Sequence, residues 1–284
     1  MTLTLGSQGD DVKALQNQLI ALGYKITADG IYGNQTATAV SDFQALNHLL
    51  QDGTAGPVTL AQINSELGNK SIYGIDVSAA NGIINWDEVK ASGKVQFAII
   101  KCTEGGTYLD PRFKSNLSEL QRVGITYGAY HFFRFFTSAP LDEAANLKAA
   151  ANPVYFGKNT LPIIVDVEYQ DVKGYTNSQV SANAAQCAAN LKIFIDQVTQ
   201  DFKRAPMIYT NADFWNNVLK SPKGFENLAL WIADYRPSSG PALPRGWNDY
   251  KIWQYSSTAQ ISGINGPVDL DVLKGSLSDL TSLS

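Results

Sequence analysis

Asp166 and Glu168 lie two residues apart in the apolar run Leu161-Pro162-Ile163-Ile164-Val165-Asp166-Val167-Glu168. In a β-strand, side chains two apart leave the same face, so this run sets two carboxyls side by side. Like charges that close raise one pKa, leaving a protonated acid beside an ionised partner. Glycoside hydrolysis requires that division of labour. Glu168, the longer arm and nearer the strand end, is the candidate acid. In the competing structural reading both carboxyls cap the next loop or pair with Lys101 and Arg134, since such ion pairs also displace pKa values.

Elements able to position this pair follow along the chain. Apolar runs at 73–77, 97–101, 125–132, 161–167 and 207–210 alternate with helical stretches, the pattern of parallel strands joined by crossover helices. Helix starts are marked by Asn85 before Trp86 with Glu88 at capping-box distance, by Asp110-Pro111, and by Ser138-x-Pro140. Three further runs, at 230–233, 252–255 and 268–272, are separated by short gaps rich in Pro, Gly and Ser. The expected fold is α/β, an irregular TIM-like barrel of (β/α)5(β)3 type whose last three strands lack helices, preceded by a small all-α domain.

Polar residues gather where the runs finish: Asp76, Lys101 with Glu104, His131, Asp166 with Glu168, Tyr209 with Asn211, Asp234, Gln254, and Asp269 with Asp271. In such barrels the C-terminal strand ends form the active site. Asp76-x-Ser78 reads equally as a cap of the following turn. His131 reads rather as a buried, satisfied histidine than as a catalytic one. Trp231, Tyr235, Trp253 and Tyr255 read as core, or as stacking surfaces for sugar rings where they reach the mouth.

The first 66 residues repeat one pattern. Asp29-Gly30-Ile31-Tyr32-Gly33-Asn34-Gln35-Thr36 and Asp52-Gly53-Thr54-Ala55-Gly56-Pro57-Val58-Thr59 both read Asp-Gly-x-x-Gly-x-x-Thr, with Leu15-Gln16 and Phe43-Gln44 upstream. The glycines permit a tight turn, and Asn34 and Pro57 suit the first residues of a helix. Val12, Leu15, Leu19 and Leu22, then Thr36, Val40, Phe43 and Leu46, fall at helical spacing. Three short helices sharing one core are expected over 1–66. Residues 67–72 read as a linker next to Gly68, and 73–284 as the catalytic barrel.

Composition narrows the chemistry. With 44% hydrophobic and 17% charged residues, the 284-residue chain is a folded protein with a large core. A net charge of −4 gives no basic surface for nucleic acid or an anionic membrane. Two cysteines, Cys102 and Cys187, and two histidines, His48 and His131, make a metal site hard to assemble, and no cofactor is expected. No apolar run reaches about 18 residues, and residues 1–11 lack the pattern of a secretion signal.

Residues 5–63 resemble the three-helix peptidoglycan-binding module of cell-wall hydrolases. Residues 73–274 resemble the family 25 glycoside hydrolases, the muramidases or lysozymes of that family. The matching pieces are Gly74-Ile75-Asp76-Val77-Ser78, Lys101-x-Thr103-Glu104-Gly105, Gly128-Ala129-Tyr130-His131, Asp166-Val167-Glu168, Pro206-x-Ile208-Tyr209, Leu230-Trp231-x-Ala233-x-Tyr235, Trp253-Gln254-Tyr255 and Val268-Asp269-Leu270. Cys102 and the segment Ala79-Ala80-Asn81 depart from the family's usual residues.

The resemblance implies cleavage of the β-1,4 bond between N-acetylmuramic acid and N-acetylglucosamine. In it Glu168 is the general acid, Asp166 assists the substrate acetamido group, and Asp76 and Asp269 complete an acidic floor. Lys101, Glu104, Tyr130, His131, Tyr209, Trp231, Tyr235 and Gln254 are the expected substrate contacts. The implied partner is a peptidoglycan glycan strand, met by a monomer. A wall hydrolase made in the cytoplasm without a signal peptide fits a phage endolysin reaching the wall after holin-type release. A bacterial autolysin and a non-catalytic wall-binding protein are the alternatives.

Overall fold

The structure, a computed structural model, describes residues 2–69, 71–151, 160–170, 176–236 and 240–283. The chain divides into two compact units, Met1–Ser71 and Ile72–Ser284.

In the first unit, α1 (Asp10–Ala21), α2 (Asn34–Leu46) and α3 (Pro57–Asn69) enclose Val12, Leu15, Leu19, Tyr32, Val40, Phe43 and Ile63. α3 runs on to Asn69, through the first half of the stretch 67–72 expected as linker. The two sequence repeats are built alike around a buried glutamine. Gln16 Nε2 donates to Asp29 Oδ1 (2.8 Å), the Ile31 carbonyl (3.0 Å) and Thr36 Oγ1 (3.0 Å), while its Oε1 accepts from the Gly30 amide (2.8 Å). Gln44 does the same with Asp52 Oδ1 (2.8 Å), the Thr54 carbonyl (3.0 Å), Thr59 Oγ1 (3.1 Å) and the Gly53 amide (2.9 Å). Gly30 and Gly53 hold φ of 76° and 66°, which a side chain would disfavour. The repeated Gln, Asp and Thr are thus consumed in closing each loop onto its helix.

The second unit runs β1 (Ile72–Val77), α4 (Trp86–Ala91), β2 (Phe97–Glu104), β3 (Tyr108–Leu109), α5 (Phe113–Val123), β4 (Thr126–Phe132), α6 (Pro140–Ala151), β5 (Ile164–Asp166), α7 (Asn177–Ala182), α8 (Ala184–Phe202), β6 (Met207–Asn211), a π-helical turn (Phe214–Val218), β7 (Leu230–Ala233), β8 (Ile252–Ala259), β9 (Val268–Leu273) and α9 (Leu277–Thr281). The sheet order is β1-β9-β8-β7-β6-β5-β4-β2-β3, and β1 also pairs with β2, so eight strands close a barrel and β3 is a hairpin arm on β2. Asn85 caps α4 as expected. Asp110 does not cap α5; its carboxylate accepts from the amides of Arg112 and Ala79.

Strand parity sorts the side chains into two cores. Phe97, Ile99, Ile164, Met207, Tyr209, Trp231, Ile252 and Leu273 fill the barrel. Ile75, Ala98, Ile100, Ala129, Val165, Val167, Ile208 and Ile232 face outward, in one core with Trp86, Leu117, Leu120, Leu147 and Phe194 of the helices. Gly74 is set by close approach: a Cβ there would stand 2.3 Å from the Phe97 ring that plugs the barrel. β9 is antiparallel to both β8 and β1. Asp269 therefore reaches the mouth from the beginning of its strand, correcting the expectation that it ends one.

Candidate active site

β1 brings Asp76, β5 brings Asp166, and β9 brings Asp269 and Asp271 to one end of the barrel. Glu168 follows two residues after Asp166. Val167, between them, points into the outer core, so the two carboxyls share the opposite side. The Val167 amide donates to the Tyr209 carbonyl, extending the ladder past the strand end. Gln170 Nε2 donates to the carbonyls of Glu168 (3.0 Å) and Phe133 (3.2 Å), fixing the backbone that carries Glu168.

Burial decides the protonation of this cluster. It raises Asp166 well above the ordinary carboxylate range, and repulsion from Glu168 adds to it. Glu168 is raised by burial to about 7; Asp269 adds to the rise, and Lys101 and Arg134 oppose it. Asp76 is driven well above its ordinary value by burial, then by Asp271 and Asp269. Burial likewise raises Asp271 and Asp269, although a side-chain hydrogen bond with Asp76 moderates the latter. Trp231 Nε1 donates to Asp271 Oδ1 at 2.8 Å.

On the β2–β4 side stand the cations. Lys101 Nζ meets Glu104 Oε2 at 2.7 Å, and Arg134 Nη2 meets Glu104 Oε1 at 2.6 Å. Burial works against Glu104's charge, but these two bonds hold its carboxyl below the usual value. Lys101 lies 5.3 Å from the Phe132 ring centre and Arg134 4.3 Å from the same ring. A bulge between Lys101 and Thr103 turns Glu104 to the mouth.

Of the expected substrate contacts, Lys101, Glu104, Tyr130, Tyr209 and Tyr235 are brought together around the acids. Trp231 and Gln254 are buried beneath them, 2% exposed each. His131 does not reach the mouth. It alternates outward from Tyr130, stacks 4.8 Å from Phe194 and bonds Thr103 Oγ1 (2.8 Å) and Glu143 Oε2 (3.0 Å), with no exposed surface. Burial, then Lys101, lowers its pKa to about 3, and burial raises Glu143 to about 8, so at neutral pH His131 is uncharged. Trp253 and Tyr255 also face away from the axis: Trp253 Nε1 donates to the Asp234 carbonyl, and Tyr255 packs edge-on to Tyr73.

Sequence reasoning missed Gln170 and Glu143. Gln170 acts through backbone carbonyls that no spacing announces. Glu143, in the first turn of α6, looks like an ordinary dipole-compensating acid.

A groove of about 890 Å³ opens beside the pair, lined by Glu168, Tyr169, Tyr209, Asn211, Asp234 and Tyr235 among others. An acid protonated near neutrality at the edge of a groove, over a deeper partner carboxyl, defines a glycoside-hydrolase type of barrel.

Comparison with known proteins agrees. Residues 75–264 match the model of glycosyl hydrolases family 25, and residues 8–63 match that of a putative peptidoglycan binding domain. Lysozyme M1 of Streptomyces globisporus is 32% identical over 222 residues, covering 75% of this chain and 71% of that protein. N,O-diacetylmuramidase of Chalaropsis sp is 28% identical over 218 residues, covering 75% and 99%. The crystal structure of the bacterial lysozyme from Streptomyces coelicolor superimposes with a TM-score of 0.68 at 33% identity, over 75% of this chain and 97% of that one. The chain belongs to glycosyl hydrolase family 25.

Proposed function

We propose that this chain is a muramidase, hydrolysing the β-1,4 bond between N-acetylmuramic acid and N-acetylglucosamine in bacterial peptidoglycan. The observation that carries the proposal is Glu168: a carboxyl at the groove edge whose proton is retained to about pH 7. Glu168 protonates the leaving glycosidic oxygen. Asp166, deeper and with a buried Oδ1 that has no hydrogen-bond partner among the described residues, orients the 2-acetamido group as its carbonyl attacks the anomeric carbon. Water then opens the ring intermediate with Glu168 as base, giving net retention. Asp76 and Asp269 form the floor. Lys101, Glu104, Tyr130, Tyr209 and Tyr235 line the approach.

Residues 1–66 hold the enzyme, acting as a monomer, on its insoluble substrate and raise its local concentration there. Lysis by a phage is the setting we favour over autolysis, and a holin gene beside this one would support it. Mass spectrometry of digested walls tests the reaction: products with reducing muramic acid are expected, and products with reducing glucosamine would refute it. Proton NMR of the first-formed product should show the retained anomer.

A further inference from the structure

Gln254 enters the sequence account as a substrate contact, yet every polar atom of its amide is engaged inside the barrel. Oε1 accepts from the hydroxyls of Tyr209 (2.9 Å) and Tyr235 (2.6 Å), while Nε2 donates to Asp76 Oδ2 (2.6 Å). Those partners come from β6, from the segment after β7, and from β1. An amide oxygen has two lone pairs, and here two hydroxyl donors take both. That fixes the orientation of the amide, so its N–H must face Asp76. Asp76 stands directly opposite Asp269, its register partner on β9, and its proximity favours the charged form of Asp269.

We infer that Gln254 is a positioning residue: its amide, fixed by Tyr209 and Tyr235, holds the Asp76 carboxyl against Asp269 and so sets how the floor faces Glu168. The inference rests on the acid-pair mechanism proposed above. Around Asp76 stand Asp269 and Asp271 from β9, Asp166 from β5, Tyr130 from β4, and Tyr209, Tyr235 and Gln254. Without the amide donor, Asp76 is no longer held facing Asp269, the support it gives the Asp269 charge is lost, and Asp269 takes up a proton more readily. Asp269 is one of the charges that keep the Glu168 proton in place. Glu168 then loses its proton at lower pH, and the alkaline limb of activity moves with it.

The test is a pH series on Gln254→Met, close to isosteric, and on Tyr235→Phe, which removes one hydroxyl from a half-exposed ring. For Gln254→Met the expectation is a fall in kcat of about tenfold or more, KM within about twofold, and an alkaline limb shifted down by roughly half a pH unit. Tyr235→Phe should move the limb the same way by less. A tenfold rise in KM with kcat and limb unchanged would make Gln254 a substrate contact and overturn the inference. So would an unmoved limb in both variants with losses that track the folded fraction. Glu168→Gln run in parallel separates the failures: if it retains turnover the mechanism falls, whereas a shifted Gln254→Met profile cannot rescue it.

Discussion

Replacing Glu168 with glutamine should make the barrel more stable in alkaline buffer while leaving it unchanged in acid. The folded chain keeps the Glu168 proton up to about pH 7, whereas an unfolded chain releases it near 4.5. Between those values the native state binds more protons, so wild-type stability falls as pH rises through the window. The displacement corresponds to roughly 3 kcal/mol at 1.36 kcal/mol per pH unit. With solvent screening on the groove side, about 1–3 kcal/mol should be recovered by a glutamine that never ionises. The assay is thermal unfolding of the barrel transition at pH 4.5 and pH 8. For a domain of this size the gain at pH 8 should be roughly 2–10 °C, against none at pH 4.5. A variant no more stable than wild type at pH 8, or equally stabilised at both pH values, would refute the idea that burial strains this carboxyl.

Further outcomes follow from other parts of the molecule. Gly74→Ala drives a methyl into the Phe97 ring at 2.3 Å and should destabilise the barrel by about 1–3 kcal/mol or more, read from denaturant midpoints. Gln44→Leu strips Gly53, Asp52, Thr54 and Thr59 of their shared partner and should destabilise the first unit by about 2–4 kcal/mol. Wall binding in a pull-down should weaken while turnover of soluble glycan is kept. Arg134→Met removes a cation that opposes the rise at Glu168, so the alkaline limb of the pH–rate profile should move upward; a downward shift would contradict the assignment.

Most of the barrel is legible because buried strands write themselves as short apolar runs with turn residues between, and period-two alternation already places Asp166 and Glu168 together. Direction is not written there. The run around Asp269 carries no sign of being antiparallel, and only the β8–β9 and β1–β9 pairings reveal it. Parity would have turned His131 away from the mouth, since Tyr130 points in; the Gly-Ala-Tyr-His motif drew attention to the residue rather than to its side. Glu104 misleads the other way, because one bulged residue on β2 resets its face. Gln254 looks like a sugar contact since its partners, Tyr209 and Asp76, lie 45 and 178 residues away. The N-terminal repeat was visible, but the role of Gln16 and Gln44 as loop closers emerges only when helix and loop meet.

Turnover of purified walls by Glu168→Gln, measured beside its wall binding, tests the central claim most directly. A fall of about a hundredfold or more in turnover with binding unchanged is the predicted result. Turnover near the wild-type rate in a folded, wall-bound variant would contradict the assignment of Glu168 as the acid.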